Sequence, residues 1–179
     1  KLMFQKEANA IALFPGGFGT HDEGFEILTL AQTGKSDPQP IVCIQAPGCD
    51  YWDDWSAFIV KQLLKRRLIN EEDLSLFKVV NSAEAAVEEI STFYRRYHSI
   101  RFVGKLMAMR LKSPISAEQL EQIQARFGDL LSEGRFELRT ALEEELDEPA
   151  IASLPRLIFP FNRRSAGRLR QLIDHVNHL

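Results

Sequence analysis

A glycine-rich turn between an apolar segment and a helical one has the clearest potential for chemistry. Residues 10–14 (AIALF) predict a strand, and residues 15–23 (PGGFGTHDE) follow it directly. Glycine lets the backbone approach a ligand closely and adopt φ > 0 where a turn needs it. Helical periodicity begins at once after the turn, so free N–H groups and the positive end of the helix dipole should point into it. The sequence therefore predicts an anion site of the kind that binds phosphate.

The candidate phosphate ligands are four backbone positions and one hydroxyl. They are Gly16, Gly17, Phe18, Gly19 and Thr20. Thr20 can donate its hydroxyl to a phosphate oxygen from the first helical turn, although it could equally serve as a plain N-cap. The glycines could likewise serve only the geometry of a tight connection between strand and helix. Glu23 follows Thr20 by about one helical turn, and the presence of this acid favours a ligand site over a purely geometric role for the glycines.

The same nine residues carry a family resemblance. Residues 15–23 match the PGGxGTxxE signature of the LOG ("lonely guy") family, nucleotide phosphoribohydrolases once widely misnamed lysine decarboxylases. The similarity continues through residues 28–34 (LTLAQTG), the strand at 40–46 and residues 48–64, so it spans about the first half of the chain. The chain resembles the C-terminal portion of such a protein.

The resemblance implies that Glu23 is catalytic. In the LOG family this glutamate works with an upstream arginine to cleave the N-glycosidic bond of a nucleoside 5′-monophosphate, giving free base and ribose 5-phosphate. Cleavage makes the ribose oxocarbenium-like, which a nearby carboxylate can stabilise, and a helix N-terminus would keep Glu23 ionised. From spacing alone, Glu23 could instead be a surface glutamate, and Asp22 either a ribose ligand or a solvated first-turn acid. His21 departs from the aliphatic residue common in the family.

The partner arginine is expected just before the chain begins. Lys1 aligns with the lysine of the family's Arg-Lys pair, so the arginine would be the preceding residue. We therefore expect the chain alone to bind weakly and turn over little. No metal is expected, because Cys43 and Cys49 are not in a metal-ligand spacing, and both are predicted to be free thiols. No cofactor is expected either, since nothing in the sequence resembles a pyridoxal phosphate site.

Composition excludes several classes of protein. The chain of 179 residues is 45% hydrophobic and 26% charged, which is ordinary for a globular protein, and its net charge of -3 gives no general attraction to nucleic acid or anionic lipid. No apolar run approaches the ~18 residues that a membrane span needs. A cytoplasmic protein that binds neither membrane nor nucleic acid is expected.

The elements that must position the turn alternate along the first half of the chain. Strands are predicted at residues 10–14, 41–45 and 77–80, and helices at 20–33, 52–66 and 82–97. The continuous apolar run at 41–44 indicates burial on both faces, so the fold class is α/β, with an incomplete doubly wound, Rossmann-like parallel sheet. Three strands rarely complete such a sheet. An upstream segment or a second chain is expected to complete it, in a homo-oligomer.

A second, smaller domain is predicted after the first. Residues 1–97 are assigned to the C-terminal part of a LOG-like Rossmann domain and residues 98–179 to a small α+β domain, resembling an ACT or ferredoxin-like half. Its predicted order is β, α, β, β, α, with strands at 99–112, 135–142 and 154–161 and helices at 116–131 and 165–179. Ser116 is the expected N-cap of the first of these helices.

Two further functions stay open. Arg163 and Arg164 could bind an anionic effector and make the second domain regulatory, or they could belong to a solvated face paired with the acids at 143–148. The chain could also be a non-catalytic module that binds a nucleotide or a phosphate-bearing cofactor, similar to a molybdenum cofactor carrier. An upstream arginine, together with Glu23 in the pocket, would favour the hydrolase.

Overall fold

A computed structural model describes residues 7–145 and 147–179. The chain divides into two compact units. The first unit contains the chain up to Thr92 together with Ser165–Gln171, and the second contains Phe93–Arg164 and Leu172–Leu179.

The first unit is built on a parallel sheet. Its strands lie in the order β1, β2, β3, with the bounds Ile11–Leu13, Ile41–Ile44 and Phe77–Val80. Ile11 aligns with Ile41, and Ile41 with Phe77, so the carboxyl ends of all three strands meet along one edge. The helices between and after them are α1 (Phe18–Gln32), α2 (Tyr51–Phe58) and α3 (Ala83–Phe93).

Strand β2 is buried on both faces, as its apolar run predicts. Ile41 and Cys43 pack in one cluster with apolar side chains of α1 and α2, among them Ile27 and Trp52. Val42 packs on the opposite face in a cluster that includes Ala86 of α3. Because successive side chains of a strand point to opposite faces, helices must cover both sides of the sheet. The parallel sheet and its helices, with a separate antiparallel sheet in the second unit, confirm the predicted α/β fold class.

Three helices of the first unit have boundaries that differ from the prediction. Helix α3 ends at Phe93 rather than at residue 97, since a strand begins at Tyr97. Helix α1 begins at Phe18 rather than at Thr20, because Gly17 is the N-cap. Helix α2 ends at Phe58 and continues as a π-helical segment, Ile59–Leu64, instead of running as one α-helix to residue 66. A 3₁₀ segment, Glu71–Leu76, then leads into β3.

The second unit contains an antiparallel sheet. It begins with two strands in the region where the sequence predicts one. Residues 99–112 form a hairpin of β4 (Tyr97–Val103) and β5 (Leu106–Leu111), so the predicted single strand was wrong. Gly104 adopts φ +58 in the turn, a conformation that favours glycine. The element order is therefore β, β, α, β, β, α rather than β, α, β, β, α.

The rest of the second unit follows the prediction more closely. The sheet order is β4, β5, β7, β6, in which β6 is Glu137–Arg139 and β7 is Arg156–Phe159, both shorter than expected. Ser116 caps α4 (Ala117–Phe127) as predicted, since its hydroxyl accepts a hydrogen bond from the N–H of Gln119. The last helix, α5, spans Ala166–His178.

One face of the antiparallel sheet buries two arginines. Arg110 of β5 and Arg156 of β7 lie opposite each other in the register, and both donate to the fully buried carboxylate of Glu145, at 2.8 and 3.2 Å. Glu148 accepts from Arg110 and also from Arg101, at 2.9 Å from the latter. The acidic residues thus hold their segment of chain against the sheet.

Candidate functional site

The glycine-rich turn joins the carboxyl end of β1 to the start of α1. Gly17 is the N-cap, with φ −90 and ψ −154, and no side chain caps the helix. The N–H groups of Thr20 and His21 donate to the carbonyl of Gly17, at 3.1 and 3.4 Å. Within the described residues, those of Phe18 and Gly19 have no backbone acceptor. Because an uncapped helix N-terminus favours negative charge, the turn can bind an anion.

The signature glycines do not serve to provide positive φ, and of the three only Gly16 lies too close to another protein atom to carry a side chain. The φ > 0 expected at the turn is absent from Gly16, Gly17 and Gly19, since the glycines with positive φ all lie elsewhere. A Cβ added at Gly16 would lie 2.2 Å from Oγ1 of Thr20. At Gly17 and at Gly19 an added Cβ would meet nothing within 4 Å. The turn therefore leaves open space beside two of its glycines, next to the helix N-terminus.

The two other predicted phosphate contacts occupy the first helical turn. Phe18 is the first residue of α1, and its side chain is 95% exposed. Thr20 is the third helical residue and half-buried, so it is not the N-cap that the sequence left as an alternative. Its hydroxyl lies beside Gly16, on the side of the turn.

The two predicted acids lie further along α1 than expected. Counting from Phe18, Asp22 is the fifth helical residue and Glu23 the sixth, so neither lies in the first turn. Asp22 is exposed, whereas Glu23 is half-buried. Both acids thus lie in the second turn of α1.

Tyr51, the first residue of α2, supports the turn. The hydroxyl of Tyr51 donates to the carbonyl of Gly16 at 2.5 Å and lies 2.8 Å from Nε2 of His21. Since this hydroxyl has one proton and a carbonyl can only accept, Nε2 of His21 must carry a hydrogen that it donates to Tyr51. The two rings are stacked, with centroids 5.7 Å apart, and Phe25 lies on the other end of the stack. His21 is half-buried and thus packs between Phe25 and Tyr51, beside the turn.

A polar cluster lies at the same edge of the sheet. Gln45, which follows β2, is 2% exposed, and its Nε2 donates to Asp53 at 2.7 Å and to Asn81 at 3.2 Å. Its Oε1 accepts from the N–H of Trp52 at 2.7 Å. Sequence reasoning missed Gln45, Asp53, Asn81 and Tyr51 as site residues. The position of Gln45 and Asn81 in the sequence could have identified these two, because each directly follows a parallel strand and the carboxyl ends of these strands share one edge.

The two arginines of the predicted effector site lie in the second unit, and both are exposed. Arg163 has φ +58, and its guanidinium lies 4.3 Å from the ring centroid of Phe102. The N–H of Arg164 donates to the side chain of Asn162 at 2.9 Å. In the described part of the chain neither arginine forms an ion pair with a carboxylate, whereas Arg101 pairs with Asp147 and Glu148. The alternative of a face paired with acids thus applies to Arg101 but not to these two arginines.

Both cysteines are free thiols, as predicted, and burial raises the pKa of Cys43 to about 12. Among the described residues, no group of three or more His, Cys, Asp and Glu side chains could hold a metal ion. Every helix in residues 7–145 and 147–179 is too short or too polar to cross a membrane.

Comparison with known families identifies the first half of the chain. A model of the family described as "Possible lysine decarboxylase" matches residues 1–90, half of the sequence. The chain belongs to this family. It is the LOG-like family whose signature the glycine-rich turn resembles, and the match covers the parallel sheet, the turn and the polar cluster. Comparison with curated proteins finds no match.

Membership of the LOG-like family indicates a nucleotide-related role, as a hydrolase or a binding protein. The family's Arg-Lys pair cannot be compared in space, because Lys1 lies outside the described residues. The structure does bring together the side chains of the turn, of Tyr51 and His21, and of the polar cluster.

Proposed function

We propose that the full-length protein hydrolyses the N-glycosidic bond of a nucleoside 5′-monophosphate, either AMP or a cytokinin riboside monophosphate. The products are the free base and ribose 5-phosphate. The observation that carries the proposal is the uncapped N-terminus of α1, which opens on free space beside Gly17 and Gly19 in a chain of the LOG-like family. Helix N-termini at the carboxyl edge of a parallel sheet are common phosphate sites.

In this proposal the 5′-phosphate binds the N–H groups of the turn and the hydroxyl of Thr20. Glu23, half-buried on the same helix, stabilises the positive charge that develops on the ribose or orients the attacking water. An upstream segment or a second chain supplies the arginine that precedes Lys1 and completes the parallel sheet. The active form is then a homo-oligomer, and residues 1–179 alone turn over little.

One observation favours a second function. Glu23 lies outside the first turn of α1, so the phosphate site is complete without it. A binding module that holds a nucleotide or a phosphate-bearing cofactor, such as a molybdenum cofactor carrier, would need the turn and not the carboxylate. Such a module would bind the same ligands and release no base.

The experiment is a survey of nucleoside monophosphates with the full-length protein, in which chromatography measures the free base. Glu23→Gln keeps the size of the side chain and should lower the rate at least about a hundredfold. The matched control is Glu26→Gln, one turn further along α1, which should retain activity. Release of no base from any substrate, or an undiminished rate in Glu23→Gln, refutes the hydrolase. Binding without release then supports the module.

The arginines of the second unit give this protein a candidate regulatory site. Arg163 and Arg164 are both exposed, as binding of an anionic effector requires. If they bind one, Arg163→Ala and Arg164→Ala should abolish the response of base release to that effector. A response of wild-type size in both variants would eliminate this role.

A further inference from the structure

A buried glutamine fixes two exposed polar side chains at the carboxyl edge of the parallel sheet. The Oε1 atom of Gln45 accepts from a main-chain N–H, which leaves its Nε2 to face Asp53 and Asn81. The N–H of Gln45 itself donates to the carbonyl of Val80 at 3.0 Å. Every hydrogen-bonding group of Gln45 that points into the cluster is therefore engaged, and the amide cannot rotate without losing these bonds.

The cluster offers one acceptor and one donor to a ligand. Asp53 and Asn81 are both exposed, and each uses a single side-chain oxygen to accept from Gln45. Within residues 7–145 and 147–179, Oδ1 of Asp53 and Nδ2 of Asn81 have no hydrogen-bond partner. Because both side chains bind the same nitrogen, the carboxylate of Asp53 and the amide of Asn81 are neighbours. A charged acceptor beside an amide donor suits two adjacent hydroxyls, each of which can donate and accept.

The cluster lies at the same edge of the sheet as the glycine-rich turn, so one ligand can contact both. The turn follows β1, Gln45 follows β2 and Asn81 follows β3, and neighbouring strands are about 4.8 Å apart. Asp53 is on the first turn of α2, two residues after Tyr51, whose hydroxyl donates to the carbonyl of Gly16. Ligands of open α/β sheets bind outside this edge, and acidic side chains there bind ribose hydroxyls in dinucleotide sites.

We propose that Asp53 and Asn81 bind the 2′- and 3′-hydroxyls of the ribose whose 5′-phosphate occupies the turn. The site then prefers ribonucleotides to 2′-deoxyribonucleotides. This inference rests on the proposed function and adds a sugar specificity to it. It also moves the ribose contact from Asp22, in the second turn of α1, to the ends of β2 and β3.

The test measures binding of ribose 5-phosphate and 2-deoxyribose 5-phosphate to the full-length protein by calorimetry. A hydrogen bond to a charged group is worth about 1.5 kcal/mol or more, so the wild type should bind the ribose form about tenfold more tightly. Asp53→Ala should bring this ratio towards one, and Asn81→Ala should weaken the binding of both sugar phosphates. Asp53→Asn, which keeps the shape of the side chain, should lower the ratio in part.

The matched control is Asp54→Ala, which removes the same charge from the neighbouring exposed residue of α2 and should keep the ratio of the wild type. Wild-type protein that binds neither sugar phosphate nor AMP would refute the proposed function itself. Wild-type protein that binds both sugars equally would overturn the inference alone. So would a ribose preference that Asp53→Ala retains at the level of Asp54→Ala.

Discussion

The hydroxyl of Tyr51 gives a test of whether the glycine-rich turn must be held in place to bind phosphate. Tyr51→Phe keeps the ring that stacks on His21 but removes the donor to the carbonyl of Gly16. A hydrogen bond contributes about 1 kcal/mol net, so KM for the nucleoside monophosphate should rise about fivefold. The value of kcat should hardly change, because in the proposed complex the turn contacts the phosphate and not the bond that breaks.

Steady-state kinetics of the full-length protein measure both constants. Tyr94→Phe removes the same atom from a tyrosine of the second unit and should leave both unchanged. A fall in kcat with constant KM would show that Tyr51 acts on the chemical step instead.

A substitution at Gly19 should lower ligand affinity without lowering stability. It is the second residue of α1, and an added Cβ would meet no protein atom within 4 Å. Alanine is favoured over glycine in helices by up to about 1 kcal/mol, so Gly19→Ala should unfold at the wild-type temperature or above. Its affinity for ribose 5-phosphate should fall, because the methyl group occupies space assigned to the phosphate.

Thermal unfolding and calorimetry together check this prediction. Gly16→Ala is the contrasting variant, and it should lose stability as well as affinity, since its Cβ would lie 2.2 Å from Oγ1 of Thr20. Wild-type affinity in Gly19→Ala would show that the phosphate does not occupy the turn.

At the level of whole elements, hydrophobic patterning predicted the parallel sheet better than the antiparallel one. The apolar run at 41–44 is buried on both faces, and such a run is recognisable without its neighbours. The hairpin of β4 and β5 was missed because its turn takes only two residues. In the register Phe102 pairs with Met107, so the side chains on one face change from even to odd numbers across Gly104. That change of phase was the available signal.

The candidate site divides in the same way. The turn could be predicted because strand, glycines and helix follow one another in the chain. The polar cluster could not, since Gln45, Asp53 and Asn81 come from separate segments and meet only through the parallel register and a buried amide. The position of Glu23 was misjudged by part of a turn, because Gly17 rather than a hydroxyl residue caps α1.

The acidic segment of the second unit should make that unit sensitive to acid. Burial acts to raise the pKa of Glu145, but hydrogen bonds from Arg110, from the N–H of Leu142 and from Arg156 outweigh it, so the pKa is lowered. A hydrogen bond from Arg110 lowers the pKa of Glu148, and one from Arg101 lowers that of Asp147. Groups with a lowered folded pKa stabilise above their unfolded pKa, and that stability is lost as the pH falls through the folded value.

The second unit should therefore keep full stability from neutral pH down to about 4.5 and lose it progressively below. Urea unfolding followed by circular dichroism at several pH values measures this. Glu145→Gln should flatten the acid dependence and destabilise at pH 7 by about 3 kcal/mol, because among the described residues it removes the carboxylate that pairs with buried Arg156 and one of the two that pair with Arg110. Glu143→Gln, at an exposed neighbour, is the control. Equal acid dependence in both variants would contradict this account.

On the scale of the whole molecule, the last helix belongs to both units. Its first residues pack in the first unit, where Arg170 donates to the buried carboxylate of Glu89 on α3 at 2.7 Å and Gln171 donates to Ser75 at 2.9 Å. Lys78 of β3 also donates to Glu89, at 2.5 Å. The family match ends at residue 90, so the matched region is completed by a segment from the far end of the chain. Removal of the C-terminal region should thus lower the stability of the first unit.

Gly167 tests this dependence at a single atom. A Cβ added there would lie 2.1 Å from the carbonyl oxygen of Glu72 and 2.8 Å from the nitrogen of Asp73, both backbone atoms that cannot rotate away. Gly167→Ala should therefore destabilise the first unit by about 1–3 kcal/mol, although alanine favours a helix.

Trp52 and Trp55 are the two tryptophans of the chain, so fluorescence during urea unfolding reports on the first unit. Gly128→Ala, whose Cβ would lie 3.7 Å from Gln124, should leave that transition at the wild-type urea concentration. A wild-type transition in Gly167→Ala would contradict the expected dependence of the first unit on this contact.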